Sequence, residues 1–185
     1  LSGLSTGKVA KNLQKLFPQS KIIRIENDSP QKTGSISNDF KKMDWNIAVV
    51  TSFALKYSFP KIDLLGIIEA EQNFNLPDFR SVEKNFATFY KFLNIAKKGI
   101  IQTRFPESDY IKHLAAMDYK SFAKHELNER QINDLPPFTH LIRLIYKNKD
   151  EVKCLAESQK VYDQLISNNY KLTTILGPSP AFIYK

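Results

Sequence analysis

Ile62-Asp63-Leu64-Leu65-Gly66-Ile67-Ile68-Glu69-Ala70 is an almost continuous apolar run. Strands buried on both faces look like this, because helices cover a parallel sheet from both sides. Three further segments share the character: residues 21–26 (Lys-Ile-Ile-Arg-Ile-Glu), 46–51 (Asn-Ile-Ala-Val-Val-Thr) and 99–103 (Gly-Ile-Ile-Gln-Thr). Between them the apolar period lengthens. Val9, Leu13 and Leu16 recur at helical spacing over residues 6–17. Val82, Phe86, Phe89, Leu93 and Ala96 form an apolar stripe over a helix expected from Asp78 to about Lys97, with Asp78 as its cap behind Pro77. Residues 1–104 therefore read as an α/β layer domain.

A second unit is expected from residue 105, since Phe105-Pro106 interrupts the pattern. One long helix is expected from Glu107 to about Asn133, burying Tyr110, Leu114, Met117, Phe122 and Leu127 and stopped by Pro136-Pro137. Residues 139–147 (Thr-His-Leu-Ile-Arg-Leu-Ile-Tyr-Lys) read as a strand, 150–167 as a helix capped by Asp150, and 171–176 as a strand. This is a small β-α-β, α+β domain over 105–185. After the Gly177-Pro178-Ser179-Pro180 turn, Ala181 begins what reads as a further strand that does not finish.

The chain has 185 residues, 42% apolar and 25% charged, so it is expected to fold as a globular protein. No apolar run approaches the roughly 20 residues that a bilayer span needs, and the start lacks the layout of a signal peptide. The expectation is a cytoplasmic protein with no membrane partner. Cys154 is the single cysteine, which excludes an internal disulfide and a cysteine-rich zinc site and fits a reducing compartment. The formal charge of +8 is concentrated. Residues 1–61 hold ten basic side chains and four acids, net +6. Such a field fits a polyanion such as nucleic acid, whose binding is driven by counterion release, with a solvated lysine-rich surface as the plain alternative.

Several constellations invite chemistry and fall short of it. Gly3-Leu4-Ser5-Thr6-Gly7-Lys8 has too few residues between its glycines for a phosphate loop, and Val9 stands where a metal-binding hydroxyl is needed, so Ser5 or Thr6 reads as a helix cap. His113, His125 and His140 show no close ligand spacing, and no metal site is expected. Glu69 and Glu71 end an apolar strand and, by alternation, face one side. Such a pair could bind magnesium or serve as acid and base in a small-molecule enzyme, but a solvated strand end explains it as well. Cys154 reads as a packing residue. No catalytic residue is assigned.

The stretch from Asn75 to Phe86, Asn-Leu-Pro-Asp-Phe-Arg-Ser-Val-Glu-Lys-Asn-Phe, carries a specific pattern. It resembles the P-D-F-R-S/A-x-E-R-x-F segment of the bacterial replication-restart helicase family, primosomal protein N′ (PriA). Residues 64–71 resemble that family's L-V-G-V-L-N-A-D, with Glu71 in place of the Asp, and 99–103 its V-I-I-Q-T. Asp118-Tyr119, Glu126, Glu129-Arg130, Leu135-Pro136-Pro137-Phe138, Ile142-Arg143-Leu144 and Leu176-Gly177-Pro178-Ser179-Pro180-Ala181 continue the match in order.

The resemblance implies that residues 1–104 correspond to a RecA-like C-terminal motor lobe and 105–185 to the family's C-terminal domain. It implies DNA, single-stranded or forked, and primosome proteins as partners. The family uses ATP with magnesium, and zinc in a cysteine-rich module. This chain has no counterpart of the zinc module or of the lobe carrying the phosphate loop, so no cofactor is assigned to it. Inside the matching part the pattern is eroded. The family's G-x-G-T-E opening reads Gly3-Leu4-Ser5-Thr6-Gly7. Its G-T-Q-M-x-x-K-G-x-D-F-P segment, which contacts nucleotide and DNA, becomes residues 50–60, keeping Lys56 and losing the Asp. The arginine-finger segment Q-V-A-G-R-A-G-R has become Tyr90 to Gly99, which contains no arginine. A finger is worth on the order of 10³ to 10⁵ in rate, and Lys97 and Lys98 lack its bidentate geometry.

The reading is therefore a degenerate restart protein that binds DNA without hydrolysing ATP on its own. The alternative is one lobe of an active 3′–5′ helicase completed by another segment or chain. Lys8, Lys11 and Lys15, which share the first helix, and Lys56, which matches the family's lysine, are the candidate phosphate contacts. Arg80, in the D-F-R segment, is read as a structural fork to Asp78 and Glu83, with direct DNA or nucleotide contact as the second possibility.

Overall fold

The computed structural model describes residues 5–26, 44–71, 74, 78–168 and 174–180. Gly3, Lys32, Lys41, Lys42, the 75–77 part of the Asn75–Phe86 pattern, residues 171–173 of the last expected strand and the strand start at Ala181 lie outside them. The architecture is mixed α/β, with five helices and four strands among the described residues.

Helix α1 (Thr6–Leu16) opens where Ser5 Oγ accepts from Lys8 N at 3.3 Å, a side-chain cap of the expected kind. It packs on β1 (Ile22–Ile25) and β2 (Ile47–Val50), which pair in parallel with Ile22 opposite Ile47 and Ile25 opposite Val50. A short 3-10 turn, Ser52–Lys56, follows β2. Strands β3 (Ile62–Ile67) and β4 (Ala96–Ile101) form a second parallel pair, Ile62 opposite Ala96 and Ile67 opposite Ile101, joined by helix α2 (Ser81–Leu93). Among the described residues the expected parallel pairing is present as two separate two-stranded sheets.

Helix α2 is shorter than its periodicity indicates. It ends at Leu93, and Ala96 already opens β4, so Lys97 and Lys98 are strand residues. Lys61 Nζ donates to Asn94 O at 2.9 Å, satisfying a carbonyl at the helix end. Gly99 lets the helix come close: a Cβ there would stand 2.4 Å from Leu93 Cδ2. One face of the β3–β4 pair is thus covered. The other is open, with Leu64 58% and Ile100 61% exposed, so these strands are not buried on both faces.

The single helix expected over 107–133 is two. Helix α3 (Asp109–Ala115) is capped by Ser108 Oγ and α4 (Tyr119–Ile132) follows after Met117, which adopts a left-handed φ of 53°. Asp118 Oδ1 then accepts from Ser121 N at 3.0 Å, and this cap restarts the helix. Met117 is only half-buried at the break.

The chain divides into two compact units, residues 1–129 and 130–185. The division lies beyond Pro106 because α3 and α4 complete the larger core of the first unit: Tyr110, Ile111, Leu114 and Phe122 pack with Ile67, Ala70 and Phe86. Phe86 is fully buried, its ring stacked on Phe122 at 3.7 Å and met edge-on by Tyr110 at 5.7 Å. A smaller core gathers Ile25, Ala54 and Phe92.

The second unit contains α5 (Glu151–Ser167), capped by Asp150 Oδ1 on Lys153 N at 3.1 Å as expected. Residues 139–147 form no strand, a correction to the β-α-β reading. A strand needs a ladder partner, and among the described residues none pairs with this segment; Thr174–Leu176 form no ladder either. Its apolar side chains stay outside, Ile142 being 86% exposed.

Candidate nucleic-acid interface

Among the described residues up to 61, some cations are engaged and others are not. Lys21 is paired with Asp44, and Arg24 with Glu26. Lys61 is committed to the end of α2. Lys8, Lys11, Lys15 and Lys56 remain exposed, and none is ion-paired with any described residue. These are the four lysines singled out from the sequence.

Helix geometry explains three of them. Positions 8, 11 and 15 are spaced i, i+3, i+7 and stand on one face of α1, away from Val9 and Leu13, which are half-buried. Lys15 also lies in the last turn, where a cation complements the helix dipole. Lys56 sits on a different element, the 3-10 turn. Its Nζ lies 4.5 Å from the centroid of the Phe53 ring, whose neighbour Tyr57 packs edge-on at 5.9 Å. The ring orients the ammonium without neutralising it, so the charge stays available to a phosphate. That seat was not legible in the sequence, although Phe53 and Lys56 are three residues apart.

The start of α1 is already occupied. Thr6 Oγ1 donates to Glu26, Glu26 pairs with Arg24, and the Arg24 guanidinium lies over Gly7, where a Cβ would meet Nη1 at 3.5 Å. A carboxylate thus stands beside the first turn of α1, where negative charge complements the helix dipole. Thr6, Gly7 and Lys8 are helical and wrap no loop.

Arg80 is held locally. Its Nε and Nη2 each donate to Glu83 at 3.2 Å, and its backbone N donates to Asp78 Oδ1 at 2.9 Å. The Glu83 hydrogen bonds raise the guanidinium's already high pKa. Asp78 also binds Lys84 at 2.7 Å, and this bond holds its carboxyl below the usual range. Asp78 therefore braces the approach to α2 rather than capping the helix itself, and Arg80 clips Glu83 within the first turn.

Glu69 and Glu71 do not form a working pair. Glu69 takes a φ of 53°, which breaks the alternation expected to align them. Glu71 Oε1 accepts from Arg104 N at 2.8 Å, tying the exits of β3 and β4 together. Burial pushes this carboxyl up, but the Arg104 amide, the residue's own amide and the Thr103 hydroxyl outweigh it and hold the carboxyl below its usual value. Glu71 Oε2 and Tyr110 Oη are both sealed without hydrogen-bond partners among the described residues, and burial, then the Glu71 charge, drives the phenol pKa upward. Asn85 Nδ2 donates to Ala70 O at 2.8 Å, a buried contact on the same strand exit. Sequence spacing gave no sign of Glu71 to Arg104, which are 33 positions apart.

Lys97 Nζ is bound to Asp63 at 2.7 Å. His113 and His125, distant in sequence, bring their rings to 6.3 Å across α3 and α4, but no group of three or more His, Cys, Asp or Glu among the described residues is arranged to hold a metal. Cys154 is half-buried, its thiol 3.7 Å from Tyr146 O. No described helix is long and apolar enough to cross a membrane.

No protein-family model matches the chain. Individual proteins do. Replication restart protein PriA of Borreliella burgdorferi is 32% identical over 185 residues, covering 96% of this chain and 28% of that protein. PriA of Bacillus subtilis is 29% identical, covering 96% of this chain and 23% of its own length, and PriA of Chlamydia trachomatis 28% identical, covering 99% and 26%. The similarity to PriA runs along nearly the whole chain, which spans about a quarter of the length of these relatives.

Proposed function

We propose, for a chain similar along nearly its whole length to replication restart protein PriA, that it serves replication restart by binding DNA and does not hydrolyse ATP on its own. Residues 1–104 would then derive from a RecA-like motor lobe and 105–185 from the family's C-terminal domain, with DNA and primosome proteins as partners in the cytoplasm. The observation that carries the DNA-binding part is that Lys8, Lys11, Lys15 and Lys56 are exposed and not ion-paired with any described residue, while Lys21, Arg24 and Lys61 nearby are engaged by Asp44, Glu26 and the Asn94 carbonyl. Three of the four share one helix face, an arrangement that can meet neighbouring phosphates of one strand.

Loss of hydrolysis follows from chemistry. Gly3 to Lys8 does not make a phosphate loop, and no arginine stands between Tyr90 and Gly99 to stabilise charge on a transferring phosphoryl. Asp63 engages Lys97, one of the two cations nearest that position. Purified protein with ATP, magnesium and forked DNA should release phosphate at the background rate. DNA-stimulated release that persists after Lys97 and Lys98 are both changed to alanine would overturn this part.

A second reading has support in coverage: the relatives are about four times longer than this chain, so an active helicase could use it as one lobe with the rest supplied separately. Adding a polypeptide that carries the missing phosphate-loop lobe would then restore unwinding of a forked duplex, whereas the degenerate reading predicts none.

A further inference from the structure

We draw no further inference here: the strongest candidate, the open apolar face of the β3–β4 pair on which Leu64 and Ile100 stand with Lys98, carries nothing because nothing in the structure shows what covers it.

Discussion

Replacing Phe122 by alanine tests whether residues 105–129 belong to the core of the first unit. Phe122 is 3% exposed and lies face to face with Phe86 at 3.7 Å, with Tyr110 edge-on at 6.2 Å. Removing a ring so enclosed should cost about 3–5 kcal/mol, from lost transfer energy plus the cavity left behind. With a urea m-value near 2 kcal/mol per M, within the usual range, the unfolding midpoint should fall by roughly 1.5–2.5 M. The milder pair Phe86→Leu and Phe122→Leu isolates the stacking, because aromatic pairs contribute about 0.5–1.5 kcal/mol beyond their buried area. The double variant should therefore be less destabilised than the two singles added together, by that amount. Urea titration followed by tyrosine and tryptophan fluorescence reads both quantities. A cost below about 1 kcal/mol for Phe122→Ala would refute the shared core, since surface changes fall in that range.

Three other outcomes follow from the geometry. Tyr110→Phe should leave stability unchanged or raise it by up to about 1 kcal/mol, because the sealed hydroxyl it removes has no partner among the described residues; a loss above 1 kcal/mol in urea titration would mean that the hydroxyl is satisfied. Glu71 is held below its ordinary value near 4.5, so the stability it contributes should be complete above that pH and lost as pH falls through the lower folded value. Acid titration of Glu71→Gln should accordingly show a shallower loss below pH 4.5 than the parent, and identical acid limbs would contradict the assignment. Arg80→Ala should lower the melting temperature only slightly, as loss of an exposed ion pair does, with DNA affinity intact; unchanged melting with weakened binding would instead make Arg80 a DNA contact.

What the sequence disclosed depended on how local the signal was. Ile22–Ile25 and Ile47–Val50 are compact β-branched and apolar runs, and Ser5 and Asp150 precede helical periods, so these strands and caps were legible. The break at Met117 was not, because the apolar period continues across it and no glycine, proline or asparagine marks the left-handed residue. The end of α2 was placed too late since Ala96 suits its stripe equally well, while the ladder to Ile62 claims it for β4. Apolar runs alone also could not say which faces would be covered, and Leu64 and Ile100 stayed outside. At the candidate interface, charge counting and helical spacing singled out Lys8, Lys11 and Lys15 as candidates, and their shared, exposed helix face was legible from that spacing. The Phe53 ring beneath Lys56 and the Glu71 link to Arg104 arise from tertiary placement, which no local pattern encodes.

The central claim rests on four lysines acting on phosphates, and the salt dependence of DNA binding tests it directly. Fluorescence anisotropy with labelled single-stranded and forked DNA, across a range of salt, gives the slope of log K against log salt for the parent and for the variant with Lys8, Lys11, Lys15 and Lys56 all changed to alanine. Each phosphate contact contributes about 0.7 to the slope on single strands and about 0.9 on duplex. The account predicts that the quadruple variant is shallower by roughly 3 and still folded, with melting lowered only slightly by loss of the Lys15 helix-end and Lys56–Phe53 contacts. A slope identical to the parent's would contradict it and return these lysines to a solvated surface.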